Sequence, residues 1–182
     1  MINKDKLKSL WPYSGLPVVI AVLLLFQVGT FDAFYILQSG LLLVFGYIIA
    51  VLDFQTKKIP NKLVLAMLGA WIIIVVPQLF FNIDATIYLL IDSLIGFVIA
   101  GGMFLLVYLI SRRGLGGGDV KFMAVAGLYL GMSGVLPAML VGSVLAGLTG
   151  FVLILIKKIG RKDAIPLAPF LYVGILATIF FV

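Results

Sequence analysis

The acidic side chains of this sequence are seven aspartates, and they are the groups that could perform acid-base chemistry. The chain contains no Cys, no His and no Glu. Thiolate nucleophiles, Ser-His triads, CxxC metal clips and HExxH zinc helices are therefore excluded, and we expect neither a metal nor a cofactor. An acid-base enzyme built from this chain would depend on its aspartates. They are Asp5, Asp32, Asp53, Asp84, Asp92, Asp119 and Asp163.

Two of these aspartates, Asp53 and Asp119, stand out by their position. Asp53 ends the apolar run of residues 34–52, and Asp119 closes a glycine-rich stretch before the apolar run that begins at residue 120. A carboxylate is costly where the hydrocarbon of a membrane begins, so an acid at such a point invites a functional explanation. We interpret Asp32 and Asp84 as ordinary residues of outer turns, and Asp92 as a solvated residue at the outer interface.

Each of the two aspartates also has a purely structural interpretation. Asp53 could be an interfacial acid that pairs with Lys57 or Lys58. Asp119 could be the N-cap of a helix, with the preceding glycines supplying the turn. A phosphate-binding loop is disfavoured, because such a loop ends in Gly-Lys-Ser/Thr whereas this one ends in Asp.

Taken together, Asp53 and Asp119 suggest an aspartic-protease type of pair. A helix N-terminus and Lys121 favour negative charge at Asp119, while a helix C-terminus disfavours it at Asp53. Two carboxylates that share one proton can activate water with one member and protonate with the other. Our hypothesis makes Asp119 the general base and Asp53 the general acid, although a coupled pair titrates as a unit. The backbone of Gly116, Gly117 and Gly118 would let an extended substrate lie close to the carboxylate.

The elements that would position these residues are membrane-spanning helices. Of 182 residues, 64% are hydrophobic and 11% are charged, and the mean hydropathy is +1.29. A span takes about 20 residues, so the chain has room for about seven crossings in one domain, residues 1–182. The predicted spans are residues 10–28, 34–52, 63–81, 91–110, two within 120–156 and 164–182. The two within 120–156 would be joined near Ser133 and Gly134, with Pro137 opening the second.

The basic residues predict the orientation of this all-α bundle. The net charge is +6, and the 13 lysines and arginines fall into four clusters between apolar runs. All four clusters lie on the cytoplasmic side if residues 120–156 cross twice, as the positive-inside rule favours. The sequence therefore predicts seven transmembrane helices, with the N-terminus inside and the C-terminus outside. Glycine and alanine at four-residue spacing in the later spans predict close helix packing.

These residues resemble the prepilin peptidases, which are membrane aspartic proteases of the G-x-G-D type. The resemblance rests on three stretches of the sequence. They are Gly116-Gly117-Gly118-Asp119-Val120-Lys121 after a basic pair, Asp53 before a basic stretch and Ile59-Pro60-Asn61, and Ala164-Ile165-Pro166-Leu167-Ala168-Pro169-Phe170 before the last span.

The resemblance implies that Asp53 and Asp119 are the catalytic pair, with Lys121 in support. It also implies removal of a basic leader peptide from type IV prepilins or pseudopilins, after a Gly at the cytoplasmic face of a prokaryotic plasma membrane. Precursor peptides and membrane lipids would be the partners, and nucleic acid would not. The long form of this family carries an N-terminal segment with paired CxxC motifs and methylates the new N-terminus. We expect this chain to be a short form without that methyltransferase activity.

Two other classes of function stay open from the sequence. One is a small proton-coupled transporter, and the other is a structural subunit of a pilus or secretion assembly. Carrier sites usually lie near the middle of the bilayer, and none of the aspartates is predicted there. Cleavage of a prepilin-like peptide would separate the enzyme from both alternatives.

Overall fold

Helices make up the regular structure of the described part of the chain. The computed structural model describes residues 15–27, 32–111, 114–158, 160 and 165–181, and the side chains of residues 23–27 are outside this description. It therefore does not cover Asp5, Asp163, Arg112 or Arg113. Six helices lie in the described residues: α1 Leu16–Gln27, α2 Ala33–Thr56, α3 Asn61–Phe81, α4 Ile83–Ile110, α5 Gly117–Leu155 and α6 Ala168–Phe181.

Four of the helices, α2 to α5, are long and apolar enough to cross a membrane, and α6 is a shorter apolar helix. Helices are the expected element for such sequences, because a backbone in hydrocarbon must satisfy its N–H and C=O groups internally. The all-helical fold is thus confirmed. The predicted spans over residues 34–52 and 63–81 lie inside α2 and α3, and the span 91–110 lies inside α4. Seven crossings and the orientation of the termini remain predictions.

The turn between α3 and α4 is built on Asn82. The backbone N–H of Asn82 donates to the Gln78 carbonyl at the end of α3. Its side-chain Oδ1 accepts a hydrogen bond of 3.2 Å from the Ala85 N–H in the first turn of α4. One asparagine therefore ends one helix and caps the next, which is a role that its short amide side chain favours.

Helix α5 is interrupted at Gly131, where the backbone has φ 64° and ψ −173°. Side chains with a Cβ rarely adopt this conformation, so the break falls on a glycine. The predicted connection near Ser133 and Gly134 is therefore wrong by two to three residues, because both of those residues are helical. Pro137 likewise lies inside the second half of α5 rather than opening it. We call residues 117–130 and 132–155 the first and second halves of α5.

The first half of α5 packs closely on α4 through glycine. A Cβ added at Gly96 would collide with the backbone of Gly127 and Gly131, so the two helices touch backbone to backbone. Further along, a Cβ on Gly101 would lie 3.1 Å from the Ala124 Cβ. Because the residue numbers rise on one helix as they fall on the other, the two segments are antiparallel. The predicted close packing of small residues is confirmed here.

The second half of α5 reverses direction and packs on α6. A Cβ on Gly134 would lie 3.4 Å from Thr178, and a Cβ on Gly142 would lie 2.9 Å from the Leu171 Cα. A Cβ on Gly150 would lie 3.0 Å from Ile165. The order of these contacts shows that the second half of α5 and α6 are antiparallel. The start of α6 therefore lies at the same end of the bundle as the start of α5.

Candidate active site

Asp53 lies in the last turn of α2 and is 5% exposed. Its helix ends because Lys57 adopts a left-handed conformation and its N–H donates to the Asp53 carbonyl over 2.7 Å. The Asp53 carboxylate accepts a hydrogen bond of 3.0 Å at Oδ2 from the N–H of Ala168, at the start of α6. The Leu167 N–H lies against the same carboxylate. Backbone groups from a distant segment thus hold this side chain, which the ion-pair interpretation did not foresee.

Asp119 is the third residue of α5 and is 8% exposed. The N-cap of α5 is Gly116, so the interpretation of Asp119 as the N-cap is wrong. Asp119 Oδ1 is buried and has no hydrogen-bond partner among the described residues. A buried polar atom without a partner costs free energy, and a buried carboxylate oxygen more so. The carboxylate also lies against the backbone of Gly116 and so serves the first turn of α5, but that contact leaves Oδ1 unexplained.

The glycines before Asp119 serve close packing in two directions. Gly116 is extended, with φ −76° and ψ 137°, whereas Gly117 and Gly118 begin the helix. A Cβ on Gly116 would lie 2.7 Å from Asp119 Oδ2, and a Cβ on Gly118 would lie 2.9 Å from the Ile59 Cβ. Their role in substrate binding stays a prediction.

The two aspartates lie at one end of the bundle, which we call the aspartate end. Asp53 closes α2 and Asp119 opens α5, and the charge of Asp53 acts electrostatically on Asp119. Ile59, six residues after Asp53, fills the space beside Gly118 and so joins the end of α2 to the start of α5. Aspartic proteases also bring two carboxylates together, so the aspartate end is the candidate active site. Among the described residues, no three acidic side chains come together in a group that could hold a metal ion.

Lys121 follows Asp119 by two residues but is exposed and turned toward α3. Its Nζ donates a hydrogen bond of 3.1 Å to Asn61 Oδ1. This bond links the first turn of α5 to the first turn of α3, close to the aspartate end. The geometry thus gives Lys121 a contact between helices, and its support of Asp119 stays a prediction.

Asp92 has a structural role that the sequence did not reveal. It lies on α4, is exposed, and accepts a hydrogen bond of 3.2 Å at Oδ1 from the N–H of Met132. Met132 begins the second half of α5, so Asp92 supplies from another helix the acceptor that an N-cap residue would supply. The expectation of an ordinary solvated side chain is therefore corrected. The sequence did contain a signal for this contact, because Asp92 and the turn within residues 120–156 were both predicted at the outer membrane interface.

Comparison with known proteins gives a consistent result. Residues 40–152 match the model of the type IV leader peptidase family. The chain is 33% identical over 144 residues to the prepilin leader peptidase/N-methyltransferase of Pectobacterium carotovorum, covering 74% of this chain and 47% of that protein. Proteins of the same name from Burkholderia pseudomallei and Xanthomonas campestris are 30% and 25% identical, over 72% and 68% of this chain and 42% of each relative. This chain thus spans somewhat less than half the length of these relatives. No solved structure matches it.

Proposed function

We propose, because this chain belongs to the type IV leader peptidase family, that it is a membrane aspartic endopeptidase that removes leader peptides from type IV prepilins or pseudopilins. Family membership confirms the resemblance seen in the motifs. The relatives carry the name prepilin leader peptidase, which supports a protease as the class of this chain. The proposal also covers which residues are catalytic, on which side of the membrane the active site lies, and which peptide bond is cleaved.

The observation that supports the proposal most strongly is the burial of Asp53 and Asp119 together at the aspartate end. Burying one carboxylate in an apolar helix bundle is costly, and burying two within reach of each other's charge is costlier. A bundle selected for stability alone would replace them with apolar residues. Two such groups retained at the ends of spans are expected where they perform chemistry.

In the proposed mechanism, a water molecule binds at Asp119 Oδ1, the buried oxygen that has no partner among the described residues. Asp119 takes a proton from this water while the oxygen attacks the carbonyl carbon of the scissile peptide bond. Asp53 carries the shared proton and delivers it as the C–N bond breaks, so that the leaving amine departs neutral. The Ala168 N–H holds Asp53 in place during both steps.

The cytoplasmic face is proposed from the distribution of lysines. Lys57, Lys58 and Lys62 follow Asp53, and Lys121 follows Asp119, so they lie at the aspartate end. Basic residues mark the cytoplasmic side of a membrane protein. We therefore place the aspartate end in the cytoplasm and keep seven crossings, with the N-terminus inside and the C-terminus outside. Reporter fusions near Lys58, Gly114 and Lys158 should report inside, and fusions near Asp32, Asn82 and Ser133 should report outside.

The proposed substrate has a basic leader, a Gly and then an apolar helix that enters the bilayer. A helix hides its peptide bonds in internal hydrogen bonds, so the bond to be cut must be extended and must lie at the interface. The exposed backbone of Gly116 and Gly117 beside Asp119 suits the approach of an extended strand. The names of the relatives also include an N-methyltransferase activity. We predict that this chain lacks that activity, and a methylation assay on the cleaved product tests this prediction.

The decisive experiment is cleavage of a synthetic prepilin-like peptide by the purified protein in detergent. Wild type should shorten the peptide, while Asp53→Asn and Asp119→Asn should each abolish cleavage, because Asn cannot exchange a proton in this role. Asp84→Asn is the matched control, since Asp84 is an exposed residue in the first turn of α4. Cleavage at the wild-type rate by a folded Asp119→Asn variant would refute the mechanism. If the wild-type protein does not cleave the peptide, the remaining functions are those of a carrier or a structural subunit.

A further inference from the structure

An apolar groove of about 910 Å³ opens between α4 and the second half of α5. Several of its wall residues are exposed, and only Ser143 among its lining side chains is polar. Met103 and Val107 form the wall on α4. Leu136, Leu140, Val144 and Gly147 lie on the α5 wall. A groove of this composition fits an apolar occupant.

The groove reaches the candidate active site through two leucines, Leu115 and Leu167, which line its end. Leu115 precedes Gly116, which lies against the Asp119 carboxylate. Leu167 precedes Ala168, whose N–H binds Asp53. The groove therefore borders both chain segments that contact the carboxylates.

The dimensions of the groove fit part of a transmembrane helix. From Leu136 to Gly147 the α5 wall extends about 16 Å at the rise of an α-helix, which is about half the thickness of the hydrocarbon core. Ser143 and Gly147 lie one turn apart on this wall. Small residues at this spacing let a second helix approach closely. A Cβ on Gly147 would meet no described atom within 4 Å, whereas a Cβ on Gly142 would meet α6.

On the premise of the function proposed above, we propose that this groove binds the apolar helix that follows the scissile bond of the substrate. The helix enters the bilayer directly after the bond to be cut, so it must lie beside the aspartates. Smaller cavities of about 360 and 410 Å³ also lie near the aspartate end. One is bordered by Lys121 on the Asp119 side, and the other by Phe54 on the Asp53 side. The groove between α4 and the second half of α5 borders both the Asp53 side and the Asp119 side of the candidate active site.

A pair of glycine variants tests this assignment by cleavage. Gly147→Phe places a ring at the groove from a position where a Cβ meets no described atom within 4 Å, and Gly69→Phe is its control on α3, because a Cβ there also meets nothing within 4 Å. Two substrates are compared. The long peptide has a basic leader, a Gly and a full apolar helix, and the short peptide keeps the scissile bond but lacks most of the apolar helix that follows it. Gly147→Phe should cleave the long peptide about tenfold more slowly, the effect of about 1.4 kcal/mol of lost binding. It should cleave the short peptide as fast as the wild type does.

Three results would decide against the groove. The first is an unchanged rate of Gly147→Phe on the long peptide, and the second is an equal loss on both peptides. The third applies if the wild type does not cleave the short peptide. It is cleavage of the long peptide at equal rates by Gly147→Phe and Gly69→Phe. Failure of wild type to cleave either peptide would instead refute the proposed function.

Crosslinking tests docking separately from cleavage. The chain has no Cys, so an introduced one is unique. In an Asp119→Asn background and with a mild oxidant added, Val144→Cys should form a disulfide with a Cys in the apolar helix of the long peptide, while Gly69→Cys should not. Equal crosslinking at both positions, or none at Val144→Cys as expected of a groove that holds only lipid, would overturn the assignment.

Discussion

Replacement of Gly131 by Ala should destabilise the bundle through two effects that share one cause. The first effect is backbone strain, because φ 64° with ψ −173° is a conformation almost confined to glycine. The second is a collision, because the new Cβ would meet the Asp92 carboxylate. Asp92 would have to withdraw, and its hydrogen bond to the Met132 N–H would be lost.

The expected magnitude follows from these two effects. Strain of this kind costs about 1 to 3 kcal/mol. Loss of the acceptor that caps a helix costs about 0.5 to 2 kcal/mol. The free energy of unfolding of Gly131→Ala should therefore fall by about 1.5 to 5 kcal/mol in all. Asp92→Ala removes only the acceptor and should cost about 0.5 to 2 kcal/mol.

A double-mutant cycle separates the two effects. Once Gly131→Ala has displaced Asp92, the further change Asp92→Ala has no cap left to remove, so the double variant should be no less stable than Gly131→Ala alone. Stability is measured by titrating the purified protein in mixed micelles with a denaturing detergent and following helical circular dichroism. Gly69→Ala is the control, because its Cβ meets nothing within 4 Å and should change stability little or raise it by about 0.5 to 1 kcal/mol.

The reasoning fails if Gly131→Ala is as stable as Gly69→Ala, since neither strain nor collision would then exist. It also fails if the costs of Gly131→Ala and Asp92→Ala add in the double variant. Additive costs would mean that Asp92 keeps its hydrogen bond to Met132 despite the added methyl group.

Three further predictions concern a contact between α3 and α5, a contact at the aspartate end, and the pH dependence of cleavage. Tyr129→Phe removes the 2.7 Å hydrogen bond from the Tyr129 hydroxyl to the Met67 carbonyl, and should lower stability by about 0.5 to 1.5 kcal/mol while leaving cleavage intact; an unchanged unfolding curve would contradict this. Gly118→Val should displace Ile59, whose Cβ would lie 2.9 Å from the new Cβ, and should reduce kcat/KM for the peptide; full activity would show that this contact does not position the site. The dependence of kcat/KM on pH should be bell-shaped, because the proposed mechanism requires the aspartate pair to hold one shared proton; a single sigmoid without a second limb would count against it.

The positions of the helices and of the two aspartates could be predicted because they depend on local properties of the sequence. An apolar run must become a helix in hydrocarbon, and an acid at the end of such a run falls at the end of that helix. Asp53 and Asp119 thus lie in the last turn of α2 and the first turn of α5. The two aspartates were expected at the same end of the bundle because two spans, α3 and α4, lie between them in the sequence.

The partners of these residues could not be predicted, because they come from segments far along the chain. The Ala168 N–H reaches Asp53 across 115 positions, and the Met132 N–H reaches Asp92 across 40. A single sequence shows no pairing at such separations. The break in α5 was predicted two to three residues too late for a related reason, since several glycines lie in this region and only the packing against α4 selects Gly131.

If Asp53 acts as proposed, the hydrogen bond from Ala168 to Asp53 also bears on when the protein becomes competent during its synthesis. A ribosome that has made α2 to α5 has already produced both aspartates, yet the N–H that holds Asp53 belongs to a later segment. The nascent chain therefore lacks this support of Asp53 until the start of α6 has been made. Products of premature termination within α5 carry both carboxylates but lack this support, so under the proposed function they should be inactive.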